Sequence, residues 1–587
     1  VLSKSLVDTE FLSTESRTTC YFFFKDDNAD QKSVTKALCA LLHQLFSKNY
    51  SLIEHALSDF KQEGSSLPQL FYNLWRILIK ATNDPRAGEI ICVLDALDEC
   101  EESGRYQLID SFNKYFNNTT SCKRHQSTLK FLVTSRPYFD IERRFKQLTH
   151  NIPTIRLEGE KESESISREI TSVIKVRAQQ VGLEVGLDCE EASTLERKLL
   201  EAPQRTYLWL KLIFDEIRSS LSVTKLRLEK IITTLPDTVE KAYEAILAKS
   251  TNAQQARKLL CIVIAAVRPL TLREMNIALN VEDGCNSYGE LDLEKEQNFE
   301  TVVKNLCGLF VSVIDGKVYL IHQTAKEFLV AKNGAASSGW KYSIQPTEAE
   351  LVLMIICVNY LKFSTFEDYP LVAHLEKEDE VAEGPDEERW SVEAVLVTNS
   401  QSLIHVDGVV SYLKQHEFLE YAATNWTAHC RRAGPTIGLP AMELLLPICN
   451  LHTKRYQTWF MVYWTFQNHW KECPEKFNVL MVASYFGLEA VLKYQLEKGE
   501  NPNQTDDNGR TPLSWAAEEL QETVVKLLLA QNEVDVNSRD WGGRTPLMNV
   551  VESMRFSFFL DRTSVNEKGV TKEAIVTLLL SRNDIRV

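Results

Sequence analysis

The stretch Ile90-Ile91-Cys92-Val93-Leu94-Asp95-Ala96-Leu97-Asp98-Glu99-Cys100 decides how the beginning of this chain folds. Five apolar residues in a row do not alternate as a half-exposed strand would. They suit a strand buried on both faces, as in the middle of a parallel sheet. The run ends on Asp95, at the carboxyl edge where open α/β sheets present residues to ligands. An acid there, with two more within four residues, is the pattern that holds Mg2+ beside a nucleotide phosphate. The phosphates need a cradle of their own, G-x-x-x-x-G-K-[ST]. That sequence occurs nowhere in the 587 residues.

The flanks support the sheet. Thr18 to Phe24, TTCYFFF, reads as a buried strand that Lys25-Asp26-Asp27-Asn28 breaks. SVTKALCALLHQLF then places Val34, Leu38, Leu41, Leu42, Leu45 and Phe46 on one helical face. A second helical stretch follows Pro68, and LKFLVTS at 129–135 reads as a third strand. Strands separated by helices predict a parallel sheet with crossover connections.

Further along, residues from about 160 to 255 carry only helical periodicity. RKLLCIVIAAVRPLTLREMNIALNV, from Arg257 to Val281, reads as two helices joined at Arg268-Pro269, with a third helix near 298–306. LFVSVIDGKVYLIH, from Leu309 to His322, alternates on either side of Asp315-Gly316, a strong hairpin signal. Three helices and a hairpin make a winged-helix layout. Residues 340–470 read as mostly helical, interrupted by EKEDEVAEGPDEERW, a solvated acidic linker. Near the C-terminus GRTPLSWAA and GRTPLMNVV place Thr511 and Thr545 34 residues apart. FNVLMVASYFG is a degenerate copy one period earlier, with Leu480 matching Leu513, and the third copy carries an insertion around RFSFFLDRTSVNEKG. A period near 33 with T-P-L opening a helix pair is the ankyrin signature.

Bulk properties narrow the function. The length suggests roughly four units at about 150 residues each. A net charge of −15 argues against nucleic acid or an anionic membrane as the main partner. The thirteen cysteines form no C-x-x-C pair and read as reduced thiols of a cytoplasmic protein. The apolar run Leu259 to Val267 is far short of the roughly 20 residues a membrane span needs. Lys317 and Arg273 are the only cations that the wing and the second helix offer DNA.

CYFFFKDD, LDALDEC, LVTSRPY, RPLTLREMNIAL, CGLFVSV, LIHQTAKEFL and FLEYAATNW follow one another through residues 1–430. In this order they resemble fungal NACHT-type proteins of the STAND class of NTPases with C-terminal ankyrin repeats. The first part is similar to the nephrocystin-like N-terminal NTPase domain, and the winged helix to one named after a GPI inositol-deacylase. In such proteins VLSKSLVD directly follows the phosphate loop. The resemblance therefore implies that this chain, which opens on VLSKSLVD, starts just after that loop and does not bind nucleotide tightly by itself. The expected architecture is multidomain α/β plus α: an NTPase sheet without its phosphate loop at 1–155, a helical domain at 156–250, a winged helix at 251–335, a helical linker at 336–472 and an ankyrin solenoid at 473–587.

The resemblance implies a nucleotide-controlled switch in non-self recognition or programmed cell death, with ATP or ADP and Mg2+ as cofactors. It implies ankyrin repeats that bind proteins, and self-association into a homo-oligomer. Asp95 would hold the magnesium ion, and Asp98 and Glu99 would orient or deprotonate the attacking water. Arg136, after the third strand, would sense the γ-phosphate. His322 would reach the β-phosphate of ADP, and Pro203 would line the adenine pocket. The plainer readings are a solvated acidic turn, a surface arginine before a proline and a core histidine. For the whole chain the alternative is a nucleotide-free ankyrin scaffold.

Overall fold

The computed structural model describes residues 17–26, 29–119, 129–136, 138–149, 163–202, 206–219, 236–330, 339–375, 403–434, 437, 439–467, 477–551, 565–582 and 584–585. They divide into two compact units, one drawn from residues up to Ile155 and from Pro474 onward, the other spanning Arg156–Cys473. The opening VLSKSLVD, Pro203, the acidic linker and most of the insertion in the third repeat lie outside the described residues.

The first unit begins with a three-stranded parallel sheet, β1 (Arg17–Phe23), β2 (Glu89–Asp95) and β3 (Leu129–Val133), in that spatial order. β2 is central, and Ile90 to Leu94 are all buried, which is why its sequence does not alternate. Between β1 and β2 run α1 (Val34–Lys48), α2 (Glu54–Glu63) and α3 (Phe71–Thr82). α4 (Glu102–Thr119) crosses from β2 to β3, and α5 (Phe139–Thr149) follows. α1 buries Val34, Leu38, Leu41, Leu42 and Leu45, the spacing of a single helical face. On α3, Trp75 stacks on Phe131 of β3 at 5.9 Å, and Phe112 of α4 meets the same ring edge-on at 4.8 Å. Aromatic pairs of this kind add about 0.5–1.5 kcal/mol each beyond their buried area.

The ankyrin part of this unit comprises α18 (Val479–Phe486), α19 (Glu489–Glu497), α20 (Pro512–Glu518), α21 (Glu522–Leu529) and α22 (Val565–Leu580). The T-P-L motif has a mechanical reading. Thr511 caps α20 by accepting from the Ser514 N–H, and Pro512 fills the first helical position, where no N–H is required. Asp506 accepts from the backbone of Asn508 and Arg510 and from the Trp515 indole, so one carboxylate shapes the finger ahead of the helix. Asp540 does the same for Arg544 in the next repeat. Neighbouring fingers are joined where the Trp541 N–H donates to the Asn508 carbonyl at 3.0 Å. The indole of Trp541 lies over Gly509, where an added Cβ would stand 2.9 Å from the ring, yet it remains 80% exposed.

The second unit opens with α6 (Ser163–Val185), α7 (Cys189–Glu201), α8 (Tyr207–Ser219) and α9 (Val239–Leu247). Ile170, Ile174, Leu195, Leu199, Trp209 and Ile213 form the core of the first three. α10 (Ala253–Ala265), α11 (Leu272–Asn280), α12 (Glu296–Cys307), β4 (Val311–Ile314) and β5 (Lys317–Leu320) realise the winged-helix pattern. The hairpin turns at Asp315 (φ 51°) and Gly316 (φ 72°), both left-handed, as Asp-Gly between two strands requires. A capping box of Thr271 and Glu274 starts α11. Glu274 also holds Arg268 through both carboxylate oxygens, which locks the Arg268-Pro269 turn. α13 (Gln323–Leu329), α14 (Pro346–Leu361), α15 (Leu403–Gln415), α16 (Leu419–Ala433) and α17 (Lys454–Gln467) follow.

A buried polar chain ties the winged helix to these last helices. The Val267 N–H donates to the Tyr421 oxygen at 3.1 Å, Tyr421 meets His429 Nε2 at 3.0 Å, and His429 Nδ1 meets Glu350 at 2.6 Å. Tyr421 and His429 are fully buried. The carboxylate only accepts and the amide only donates. The Val267 N–H therefore donates to the Tyr421 oxygen and the Nδ1–H to Glu350, with Tyr421 and Nε2 sharing the bond between them. Two motifs far apart in sequence, VRPLTL and FLEYAATNW, are thus parts of one joint.

Candidate functional site

The carboxyl edge of the parallel sheet gathers Asp95, Asp98, Glu99 and Arg136 of the expected site residues. Asp95 ends the central strand, and Thr134, just past β3, donates its hydroxyl to the Asp95 carboxylate at 2.6 Å. The same hydroxyl accepts from the Ala96 N–H at 3.0 Å, and the Thr134 carbonyl accepts from the Leu97 N–H. Ala96 needs this support because it is left-handed, at φ 56° and ψ 49°, a region that costs a residue with a Cβ roughly 1–2 kcal/mol. The reversal turns Leu97 inward and sends Asp98 and Glu99 along the sheet edge in a short 3-10 turn. From α4, Arg105 donates to the Asp98 carbonyl at 3.0 Å and to Asp140 of α5 at 3.1 Å, fixing the turn from behind.

Asp98 and Glu99, alike in sequence, occupy different environments. The Asp98 side chain is 5% exposed and belongs to Arg136, whose backbone N–H donates to one oxygen at 3.1 Å while Nε stands 3.5 Å from the other. Among the described residues Glu99 forms no ion pair of that kind. Burial pushes its carboxyl up to about 7, the nearby carboxylates of Asp26 and Asp98 add to this, and the Asp26 N–H and Arg136 oppose it. A carboxyl titrating near neutrality suits proton transfer; one pinned in an ion pair suits orientation.

Asp26, Thr134 and Arg105 are the members that sequence reasoning missed. In the sequence Asp26 is part of a strand break. It reaches Glu99 because β1 and β2 are neighbours and end level with each other, Phe23 opposite Asp95. The hydroxyl in LVTSRP two residues before the arginine was the one available signal for Thr134.

His322 belongs to the other unit. It is exposed, and its Nδ1 accepts from the Thr324 N–H at 3.2 Å as the N-cap of α13. It is therefore a cap, not the core histidine of the plainer reading. Arg273 is held by Glu296 and Glu417, leaving the second helix of the wing domain a neutralised cation. No ion-ligand set of three or more groups forms at the sheet edge among the described residues; the set that does form is Glu54, His55 and Asp84, and Arg86 already pairs with both acids in it. Among the described residues no helix is long and apolar enough to cross a membrane. Asp95, at the end of the central strand with a hydroxyl oriented on it, fits a hard cation held by oxygen.

Comparison with known proteins assigns these parts. Residues 1–136 match the family described as Nephrocystin 3, N-terminal, and residues 243–339 match the GPI inositol-deacylase winged helix domain. Residues 480–559 match ankyrin repeats in three copies, and residues 166–227 match a domain of unknown function. The chain is similar to Vegetative incompatibility protein HET-E-1 of Podospora anserina, 26% identical over 363 residues, which covers 60% of this chain and 25% of that protein. It thus spans about a quarter of that relative's length. The chain is also 36% identical over 67 residues to human Rabankyrin-5, covering 11% of this chain and 6% of that protein. It is also similar to Ankyrin repeat-containing protein P1E11.10 of Schizosaccharomyces pombe, at 29% over 104 residues, 17% of this chain and 49% of that protein. The chain therefore combines a nephrocystin-type domain, a winged helix and repeats of a protein-binding kind.

Proposed function

We propose that this chain is the switch and sensor portion of a NACHT-like signalling NTPase, with the nucleotide at the carboxyl edge of the parallel sheet and a protein ligand on the ankyrin repeats. The observation that carries it is the division of labour at that edge. Asp95 is oriented by Thr134, Asp98 by Arg136, and Glu99 is poised near neutrality by burial. Bound Mg2+ would neutralise charge on the phosphates. Asp95 would hold it, Arg136 would lie toward the terminal phosphate with Asp98 setting its angle, and Glu99 would take the proton of the attacking water. The similarity to a vegetative incompatibility protein supports non-self recognition or programmed cell death as the setting. In this reading the protein is cytoplasmic, self-associates when switched on, and uses His322 on the winged helix to contact the β-phosphate of ADP.

A phosphate cradle supplies several charge-assisted contacts, each worth about 1.5–3 kcal/mol. Because no such motif occurs in these 587 residues, this chain is expected to bind Mg-ATP too weakly for calorimetry. A version that carries a G-x-x-x-x-G-K-S loop N-terminal to the sheet is expected to show micromolar, magnesium-dependent binding. Asp95→Ala should abolish that binding, while Glu99→Gln should keep it and lose hydrolysis. Micromolar binding by this chain without an added loop, indifferent to Asp95→Ala and Arg136→Ala, would place the nucleotide elsewhere and sink the proposal.

A further inference from the structure

The helix α2 carries a feature that the nucleotide reading does not use. With the 3-10 turn Tyr50–Ile53 that leads into it, it presents Tyr50, Ile53, Leu57 and Phe60 to solvent, 75%, 47%, 47% and 57% exposed. Tyr50 and Ile53 eclipse each other across a 3-10 turn, and Ile53, Leu57 and Phe60 continue the line at helical spacing. Single exposed apolar residues are ordinary; four in a row form a stripe. The opposite face is well anchored. Leu52 is fully buried, and Asp59, 2% exposed, takes Asn73 at 3.3 Å and Arg76 from α3. Asn49 caps the turn and donates to the Arg86 carbonyl at 2.9 Å, and Arg86 pairs with Glu54. The stripe is therefore held rigid from behind and bare in front.

We infer that this stripe is a surface for self-association, and that its occupant is the same stripe on a second copy of this chain. The spacing 3-4-3 is palindromic. A two-fold axis laying one helix antiparallel on the other sets Tyr50 against Phe60 of the second copy and Ile53 against Leu57 of the second copy. Aromatic thus meets aromatic and aliphatic meets aliphatic in every layer. Contacts of this kind, in which each copy offers the same patch, close into a dimer without leaving a free end. No charged side chain interrupts the stripe, and Glu54 and Lys61, of opposite sign, border it. The apolar area is on the order of 400 Å2 per copy, about half of the ~800 Å2 per partner that a stable interface buries. Alone the stripe holds a weak dimer; in an assembly tethered elsewhere, effective concentration makes such a contact count.

The inference rests on the self-association proposed above, but its test needs no nucleotide, so its failure leaves the nucleotide-binding experiment untouched. Sedimentation of the whole chain between about 10 µM and 1 mM should show a concentration-dependent dimer in the weak range expected for that area. Leu57→Glu, and separately the milder Phe60→Asn, should weaken the dimer roughly tenfold or more, about 1.4 kcal/mol, with unfolding temperature unchanged. Mixing Ile53→Cys chains with Leu57→Cys chains under mild oxidation should yield 53–57 cross-links ahead of 53–53 and 57–57. A chain that stays monomeric at 1 mM overturns the inference. So does a dimer indifferent to both substitutions, or cross-links dominated by the like pairs.

Discussion

Thr134 contributes more through its hydroxyl than its place after a strand suggests. One oxygen donates to Asp95 and accepts from Ala96, so it both aims a carboxylate and supports a strained reversal. Thr134→Val keeps the shape and removes both bonds, leaving the Ala96 N–H without its acceptor at a cost of about 1–3 kcal/mol. Hydrogen exchange in the 94–99 segment should accelerate accordingly, and Thr134→Ser should restore it. Equal protection in all three proteins would mean that the turn holds itself. Asp95, Asp98, Glu99 and Arg136 could be found in the sequence because each stands at or within a few residues past the end of an apolar run, and strand ends are local features. Asp26 and Arg105 could not. Their roles depend on which strands are neighbours and where a crossover helix begins, and no spacing within a single segment encodes that.

The readable elements were those whose period or turn chemistry is self-contained: the unalternating run of β2, the Asp315-Gly316 hairpin, and Thr-Pro-Leu opening a helix. His322 was harder. It follows a strand in an apolar segment, so hydropathy favours burial, whereas its side chain sits outside as a helix cap. Gly308, which ends α12, was not singled out in the sequence at all. It has φ 56° and ψ −137°, a conformation essentially confined to glycine, and a Cβ there would stand 2.9 Å from Ile246 Cγ2 of α9. Gly308→Ala should destabilise the second unit by about 2–4 kcal/mol, from backbone strain and overpacking together. Ile246→Ala carries its own cost as a buried truncation, so the steric part alone is read as the favourable coupling between the two substitutions. Chemical denaturation of the single and double variants measures both, and a coupling as large as the whole Gly308→Ala cost would contradict the backbone contribution.

Across the second unit, the run from Val267 through Tyr421 and His429 to Glu350 makes the winged helix and the helices after it one mechanical body. A switch that moves the winged helix must carry α14 and α16 with it or break this joint. Tyr421→Phe leaves the Val267 N–H and His429 Nε2 without the hydroxyl between them, a loss of about 1–3 kcal/mol for each buried group stranded. Exchange should rise at Val267 and along the facing turns of α14 and α16, with no change in α6 to α8. If protection there stays at the parent's level, the joint is held by apolar packing and the polar chain is incidental.

The finger tip of Trp541 has an optical consequence. An indole that is mostly in water emits at long wavelength, and one that becomes covered shifts to the blue. Its backbone is tied to Asn508 and its ring lies against Gly509, which fixes this fluorophore at the finger tip. The emission difference between the chain and its Trp541→Phe variant is thus a built-in optical label for whatever settles on the ankyrin fingers, without a dye attached.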